Sequence, residues 1–468
     1  MAAPSSRAKL VGIEGFRERV LAHPLARDIS PAEVREHLAK IPRTRFARVA
    51  YGNRGLAPCV QPRGGFPVFE AQYELTRKLN DAGADFIPLT IDSYTRQNEY
   101  ETATQLLRRS EEEGKNYLNG YPLVSHGFAL TRDLYEGIDK PISLRHGTPD
   151  ARLLVEVAIA SGIVEIEGGG ICYCLPYSEG FPLDRSLLYW QYVDRVCADY
   201  STPEAPIHRE SFGPLTATLV PPAIAISIEI IEVLLAAEQG VVSFAVSFGQ
   251  TGSIVQDLAA ARVLKRLTRR YLDDFGFEAV RSYLVYHQWM GQFPAERERA
   301  AALIVGSTVI ANLVGADKLV VKTVDEALGV PRPEINAQAV ETVRYVLRTF
   351  ACAQPVTSEL VEREAALIES EVDSILHAVF DMPGQVFWQS VFQAFQLGFL
   401  DVPFSPHADN ANKLVSMRDG NGSIRICERG KVPISDQAAN QEKQLLSEGR
   451  NPTGETYRQL LSDITMMV

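Results

Sequence analysis

Short apolar runs recur from about residue 50 to about residue 325, each followed by a stretch with helical spacing. They read PCVQPR, DFIPLTIDS, GYPLVSHG, PISLRHG, IVEIEGG, VVSFAVSFG, SYLVYHQWM and KLVVKT. Runs of this length bounded by turn residues are expected to be strands buried on both faces. Their alternation with helices predicts a parallel α/β sheet. Eight such units across roughly 280 residues fit a (β/α)8 TIM barrel better than an open doubly wound sheet.

The polar residues sharpen that expectation. Arg63, Asp92, His126, Arg145, Glu167, His287 and Lys322 lie at or just past the C-terminal ends of their runs, where a barrel gathers its active site. Any one of them is explained by the polarity of loops, but so many together predict a shared mouth. In RHGTPDARLL, Thr148 is the expected N-cap, with Pro149 at the first helical position and Asp150 complementing the positive helix end. The stretch FGPLTATLVPP, 212 to 222, carries two terminal prolines that would stop a central strand, and it has no assignment.

Outside the barrel the pattern changes. PAEVREHLAKI is amphipathic and helical, and the chain after about residue 345 is helical, then loop-like through DVPFSPHADNANKL and RDGNGSIRICERGKVP. The expected organisation is an N-terminal helical extension over 1–45, the barrel over 46–345, and a C-terminal helical and loop extension over 346–468. AIAISIEIIEVLLAA carries Glu229 and Glu232, and AALIVGSTVIANLVGA is shorter than the roughly 20 residues of a membrane span, so both read as buried helices.

The composition, 46% hydrophobic and 22% charged over 468 residues, is that of a globular protein with a large core. A net charge of −11 argues against a nucleic-acid surface. The six cysteines, at 59, 172, 174, 197, 352 and 427, have neither zinc spacing nor the density of a secreted scaffold. With no apolar leader in MAAPSSRAKLVGIEGFRERV, a cytoplasmic location is expected.

IEGGGICYCLPY, residues 166 to 177, carries three rival readings: a phosphate loop, a thiol site, or an acid before a turn. It does not match G-x-x-x-x-G-K-[ST], and no G-x-G-x-x-G or H-E-x-x-H occurs. Cys172 and Cys174 have no partner at metal-ligand spacing. Arg63, Arg96 and Arg145 each follow a predicted strand, and several guanidinium forks around one pocket suit a dicarboxylate or a phosphate. Glu167 would face them, as an ion-pair partner or as the acceptor of a substrate ammonium group. Tyr173 and Tyr177 would add neutral donors or simply pack in the core.

Together TIDSYTRQN, SLRHGTPDARLL, EGGGICYCLPY, FGPLTATLVPP, LLAAEQGV, VYHQWMGQFP and VKTVDEALGVP resemble the epsilon, catalytic, subunit of glutamate mutase, also called methylaspartate mutase. The resemblance runs from about residue 45 to about residue 350, and more loosely toward the C-terminus. It implies a (β/α)8 isomerase that uses adenosylcobalamin and radical chemistry to interconvert L-glutamate and (2S,3S)-3-methylaspartate. Arg63, Arg96 and Arg145, with His146, would clamp the substrate carboxylates. Glu167 would hold the ammonium group, with Tyr173 and Tyr177 beside it. Gly65, Asn119, Pro176, Phe293, Lys322, Glu326 and Val330 would face the cobalamin or its adenosyl group. No D-x-H-x-x-G occurs in the chain. The resemblance therefore implies a small cobalamin-binding partner that supplies the cobalt-ligating histidine, in an assembly of two large and two small subunits.

Phe248, Ser253 and Cys174 depart from the family pattern. They bear on substrate and partner fit and keep open a cobalamin-dependent mutase retuned to another amino or keto dicarboxylic acid. A cobalamin-independent barrel lyase using the arginine cluster for a dicarboxylate is a separate alternative, which leaves VKTVDEALGVP unexplained. A non-catalytic scaffold is at odds with the intact Arg63, Arg96, Arg145 and Glu167.

Overall fold

The computed structural model describes residues 13–213, 219–351, 356–382, 386–448, 462–465 and 467. Eight parallel strands form its centre: β1 (Cys59–Gln61), β2 (Ile87–Thr90), β3 (Ile142–Arg145), β4 (Glu165–Glu167), β5 (His208–Glu210), β6 (Ser243–Gly249), β7 (Arg281–His287) and β8 (Lys318–Val320). They are ordered β1-β8-β7-β6-β5-β4-β3-β2, which leaves β1 and β2 facing each other across the last seam. There the Phe86 and Thr90 amides donate to Val60 O and Gly64 O at 3.3 and 3.0 Å. The sheet thus curls into a nearly closed barrel, and helices pack around its outside as a (β/α)8 fold requires.

Seven of the eight expected strands are present, and the exception is informative. GYPLVSHG contributes only a single bridge, Tyr121 to Ile91, before the helix Leu123–Leu134 begins. Pro122 has no amide to give a ladder. His126 therefore lies on a helix, its Nε2 2.7 Å from Pro67 O, and not at a strand end.

The missing position is filled by β5, whose sequence is HRE. No apolar run announced it, because all three side chains are ionisable, and yet all three are buried. Each is paired, as burial of such groups demands. His208 Nδ1 lies 2.8 Å from Ser243 Oγ. Arg209 binds Asp194 at 2.7 Å and donates to Ile166 O and Gly168 O at 2.6 and 2.8 Å. Glu210 meets Lys318 at 2.5 Å.

The helix Pro222–Gln239 is buried along nearly its whole length, as its apolar sequence predicts. Among the described residues no helix is long and apolar enough to cross a membrane. The helix after β3 begins at Arg152, later than expected. Thr148 and Pro149 lie before it and do not cap it, while Asp150 Oδ1 accepts the Arg152 amide at 3.4 Å and binds its guanidinium at 2.7 Å.

Of FGPLTATLVPP, residues 214–218 lie outside those described. The C-terminal stretch expected to be loop holds an antiparallel hairpin, β9 (Val415–Arg418) with β10 (Ile424–Glu428). Arg425 anchors it through a two-pronged contact with Glu364 at 2.8 and 2.7 Å.

Arg209 links β5 to the helix Leu183–Tyr200 through Asp194. Asp194→Asn keeps the shape and strips the charge, leaving a buried guanidinium without its counter-ion. Unfolding in urea should show a loss of about 3–5 kcal/mol. A loss below about 1 kcal/mol would contradict the pairing argument.

Candidate active site

Short strands decide what the barrel interior contains. Successive side chains of a strand alternate between faces, so in β4 Glu165 and Glu167 share one face while Arg209 of β5 turns outward between His208 and Glu210. Lys318 opens β8, and Arg145 ends β3. These groups meet inside: Arg145 contacts Glu167, Lys318 contacts Glu165, and Lys318 reaches Glu210 at 2.5 Å. Arg145 Nη1 stands 3.6 Å from Glu210. Glu165, His208 and Glu210 also bring three ligand-type atoms within 4.8 Å of one another. The Lys318 ammonium already lies against both carboxylates, so this cluster is an ion-pair network.

The carboxyl of Glu167 also accepts the Tyr173 hydroxyl. Burial pushes Glu167 up to about 7, with Arg145 and Tyr173 pulling the other way. Arg145 keeps its charge because the two glutamates outweigh its burial. Its Nη1 has no hydrogen-bond partner, and neither ring nitrogen of His287 has one. Burial and the surrounding cations hold His287 neutral, well below its usual range.

The other arginines sit higher. Arg63, two residues past β1, binds Glu326 at 3.1 Å. Arg96 ends the short helix Ser93–Arg96, its Nε donating to Ile91 O at 2.6 Å. A Cβ built on Gly147 would lie 3.8 Å from Arg96 and 3.9 Å from Tyr177, so these two side chains flank one glycine. Tyr177 is exposed at the rim, whereas Tyr173 is buried. His146 stacks on Trp190 at 5.7 Å and meets Tyr173 edge-on at 4.8 Å. Burial keeps it neutral, with the Arg96 charge adding to the effect. The structure therefore brings Arg145, His146, Glu167 and Tyr173 into one buried cluster, with Arg96 and Tyr177 at its edge.

Of the residues expected on the cofactor side, Phe293, Lys322 and Glu326 lie together past β7 and β8. Lys322 contacts Glu326, and its Nζ lies 5.8 Å from the centre of the Phe293 ring. Burial and then the Arg63 charge push Lys322 down to about 7. Asn119 is exposed, with its Oδ1 accepting the Ser93 amide at 2.9 Å. Pro176 is half-buried and Val330 exposed. Gly65 is needed by the chain itself, since a Cβ there would lie 2.3 Å from Thr90 O.

Sequence reasoning missed the supports. The Glu232 carboxylate, from the helix Pro222–Gln239, accepts the Ile171 and Cys172 amides at 2.8 and 3.1 Å. Gly169 passes so close that a Cβ would sit 2.4 Å from it, and Gly168 takes φ 119° beside Tyr173 and Trp190. Cys174 is buried against His407, 3.3 Å away and far along the chain. A glutamate pair inside an otherwise apolar helix was the visible signal for such supports.

A (β/α)8 barrel with its buried ion pair opening toward arginine-bearing C-terminal loops is built as a barrel enzyme. The chain belongs to the family described as Methylaspartate mutase E chain (MutE), whose model matches residues 44–468. It is similar to the glutamate mutase epsilon subunit of Treponema denticola, 39% identical over 90% of this chain and 87% of that one. The Escherichia coli O157:H7 epsilon subunit is 41% identical over 86% of this chain and 84% of its own. That of Halobacterium salinarum is 41% identical over 92% and 89%. Membership makes the chain an isomerase of the glutamate mutase type.

Tyr173→Phe removes the hydroxyl that helps keep Glu167 ionised. Infrared difference spectra, with Glu167→Gln as the reference that identifies the carboxyl band, should show Glu167 titrating at higher pH than in the parent chain. An unmoved titration would contradict the assigned role of the hydrogen bond.

Proposed function

We propose that the chain is the catalytic large subunit of a glutamate mutase, interconverting L-glutamate and (2S,3S)-3-methylaspartate with adenosylcobalamin. The observation that carries this reading is the buried contact of Arg145 with Glu167, beside a guanidinium nitrogen left without a hydrogen-bond partner. One side of the site suits a carboxylate and the other an ammonium group, a few ångströms apart. Arg63, Arg96 and Arg145 hold the two carboxylates, with His146 as a neutral neighbour. Glu167 takes the ammonium, aided by Tyr173 and Tyr177. Fork-shaped guanidiniums fix the substrate's orientation as well as its charge.

A recess at the mouth would take one part of a large cofactor. A recess of about 460 Å³ between the loops after β7 and β8 is lined in part by Gly291, Phe293, Lys322 and Glu326. Nearby Leu328 and Val330 leave 63% and 52% of their surface exposed. Gly65, Asn119, Pro176, Phe293, Lys322, Glu326 and Val330 would hold the cofactor, with the Glu326 carboxylate suited to sugar hydroxyls. When bound, adenosylcobalamin supplies the radical that abstracts a substrate hydrogen and begins the rearrangement. The barrel's own residues bind the substrate, fix its orientation and keep water away. The chain has no D-x-H-x-x-G, so a small partner carrying that motif supplies the cobalt ligand, two of each subunit forming the assembly. The relatives' designation as epsilon subunits supports a partner.

Purified chain, mixed with such a partner and adenosylcobalamin, should form methylaspartate from L-glutamate and leave 2-oxoglutarate unchanged. Turnover of 2-oxoglutarate in its place, or turnover without cobalamin, would contradict the reading.

The same assay has a pH signature. Glu167 must be ionised to hold an ammonium group, and burial raises it to about 7. The fraction ionised falls with pH, so kcat/KM for glutamate should drop about tenfold per unit below the Glu167 value. Glu167→Gln should flatten that limb at a low rate. An unchanged limb would contradict the assignment.

A further inference from the structure

Lys318 is wholly buried beneath the substrate pocket, where no substrate would touch it. Its ammonium contacts Glu165 and lies 2.5 Å from Glu210 Oε2. The other oxygen of Glu210 points toward Arg145 and stops at 3.6 Å from Nη1, too far for a hydrogen bond. That nitrogen therefore has no hydrogen-bond partner. The Glu210 carboxyl is held between two cations and lies closer to the lower one.

Resting on the glutamate reading above, we propose that Lys318 is a positioning residue that holds Glu210 away from Arg145, keeping the Nη1 donor free for a substrate carboxylate.

The charges around Glu210 make the restraint necessary. It is faced by Arg145 from β3, Glu165 and Glu167 from β4, Glu229 from the helix Pro222–Gln239, Tyr51 from the helix Ala47–Asn53 and Lys318 from β8. Without Lys318, Arg145 is the cation left beside it in this group. A carboxylate in a poorly solvated interior closes on such a partner. Glu210 would then occupy the N–H meant for the substrate, an internal competitor for the clamp. Lys318 also balances Glu165, so its loss leaves that acid without its contacting cation.

The test uses the chain reconstituted with the small subunit and adenosylcobalamin, with calorimetric titration of glutarate and of L-glutamate. These ligands share both carboxylates and differ in the ammonium group. Lys318→Met should weaken glutarate by about tenfold or more, the scale of one charged hydrogen bond. L-Glutamate should weaken less, because a freed Glu210 repels carboxylates and attracts an ammonium. A merely structural lysine would weaken both ligands alike.

Two double variants keep the test open if the single one fails to fold. K318M/E210Q and K318M/E165Q carry the same charge and differ only in which acid remains. K318M/E210Q should bind glutarate within about threefold of the parent. K318M/E165Q should stay about tenfold weaker or more. Equal affinities for the two would overturn the proposal while leaving the glutamate reading intact. Failure of the parent chain to bind either ligand would overturn both.

Discussion

A guanidinium, an ammonium and three carboxylates share the interior of a nearly closed barrel, and electroneutrality in that poorly solvated space governs the rest of the structure. Arg145 and Lys318 supply two positive charges against Glu165, Glu167 and Glu210. Leaving one buried charge without compensation is expensive. The excess negative charge is expressed as Glu165 and Glu167 raised toward neutrality by burial. Under the proposed reading, a ligand's ammonium group would offset part of that excess, a physical reason for an amino dicarboxylate over its keto counterpart.

The pocket also depends on backbone that is pinned from below and from outside. Glu232 takes the amides at the start of the turn carrying Tyr173. From the C-terminal extension, Ser405 donates to Leu175 O at 2.8 Å, and the His407 ring lies 2.7 Å from Phe181 O. IEGGGICYCLPY is therefore neither a phosphate loop nor a thiol centre. Its glycines let the chain pass against Glu232, Tyr173 and Trp190. Its cysteines are buried packing groups, with Cys174 hydrogen-bonded to His407. The 401–414 loop is ordered by Asp401, whose carboxylate takes the amides of Asn412, Lys413 and Leu414 at 2.6 to 2.8 Å.

Hydrophobic patterning found the barrel because most of its strands are buried on both faces and read as apolar runs. It failed at β5 for the reason that makes the site work: HRE is buried through charge pairing, which a hydropathy pattern does not record. GYPLVSHG misled because its apolar residues serve one bridge and a helix start. Arg63, Arg96, Arg145 and Glu167 were legible because they stand at or just beyond strand ends. Glu210 and Lys318 were not, since each pairs with a residue distant in sequence. The same holds for His407, whose contact with Cys174 spans most of the chain.

In the proposed function, Glu167 receives an ammonium group while the arginines receive carboxylates. A crystal structure of the chain with its small partner, cobalamin and L-glutamate tests it directly. The substrate nitrogen should lie against the Glu167 carboxylate, with one carboxylate on Arg145 Nη1 and the two carboxylates shared among Arg63, Arg96 and Arg145. Glutamate bound the other way round, or outside this cluster, would contradict it.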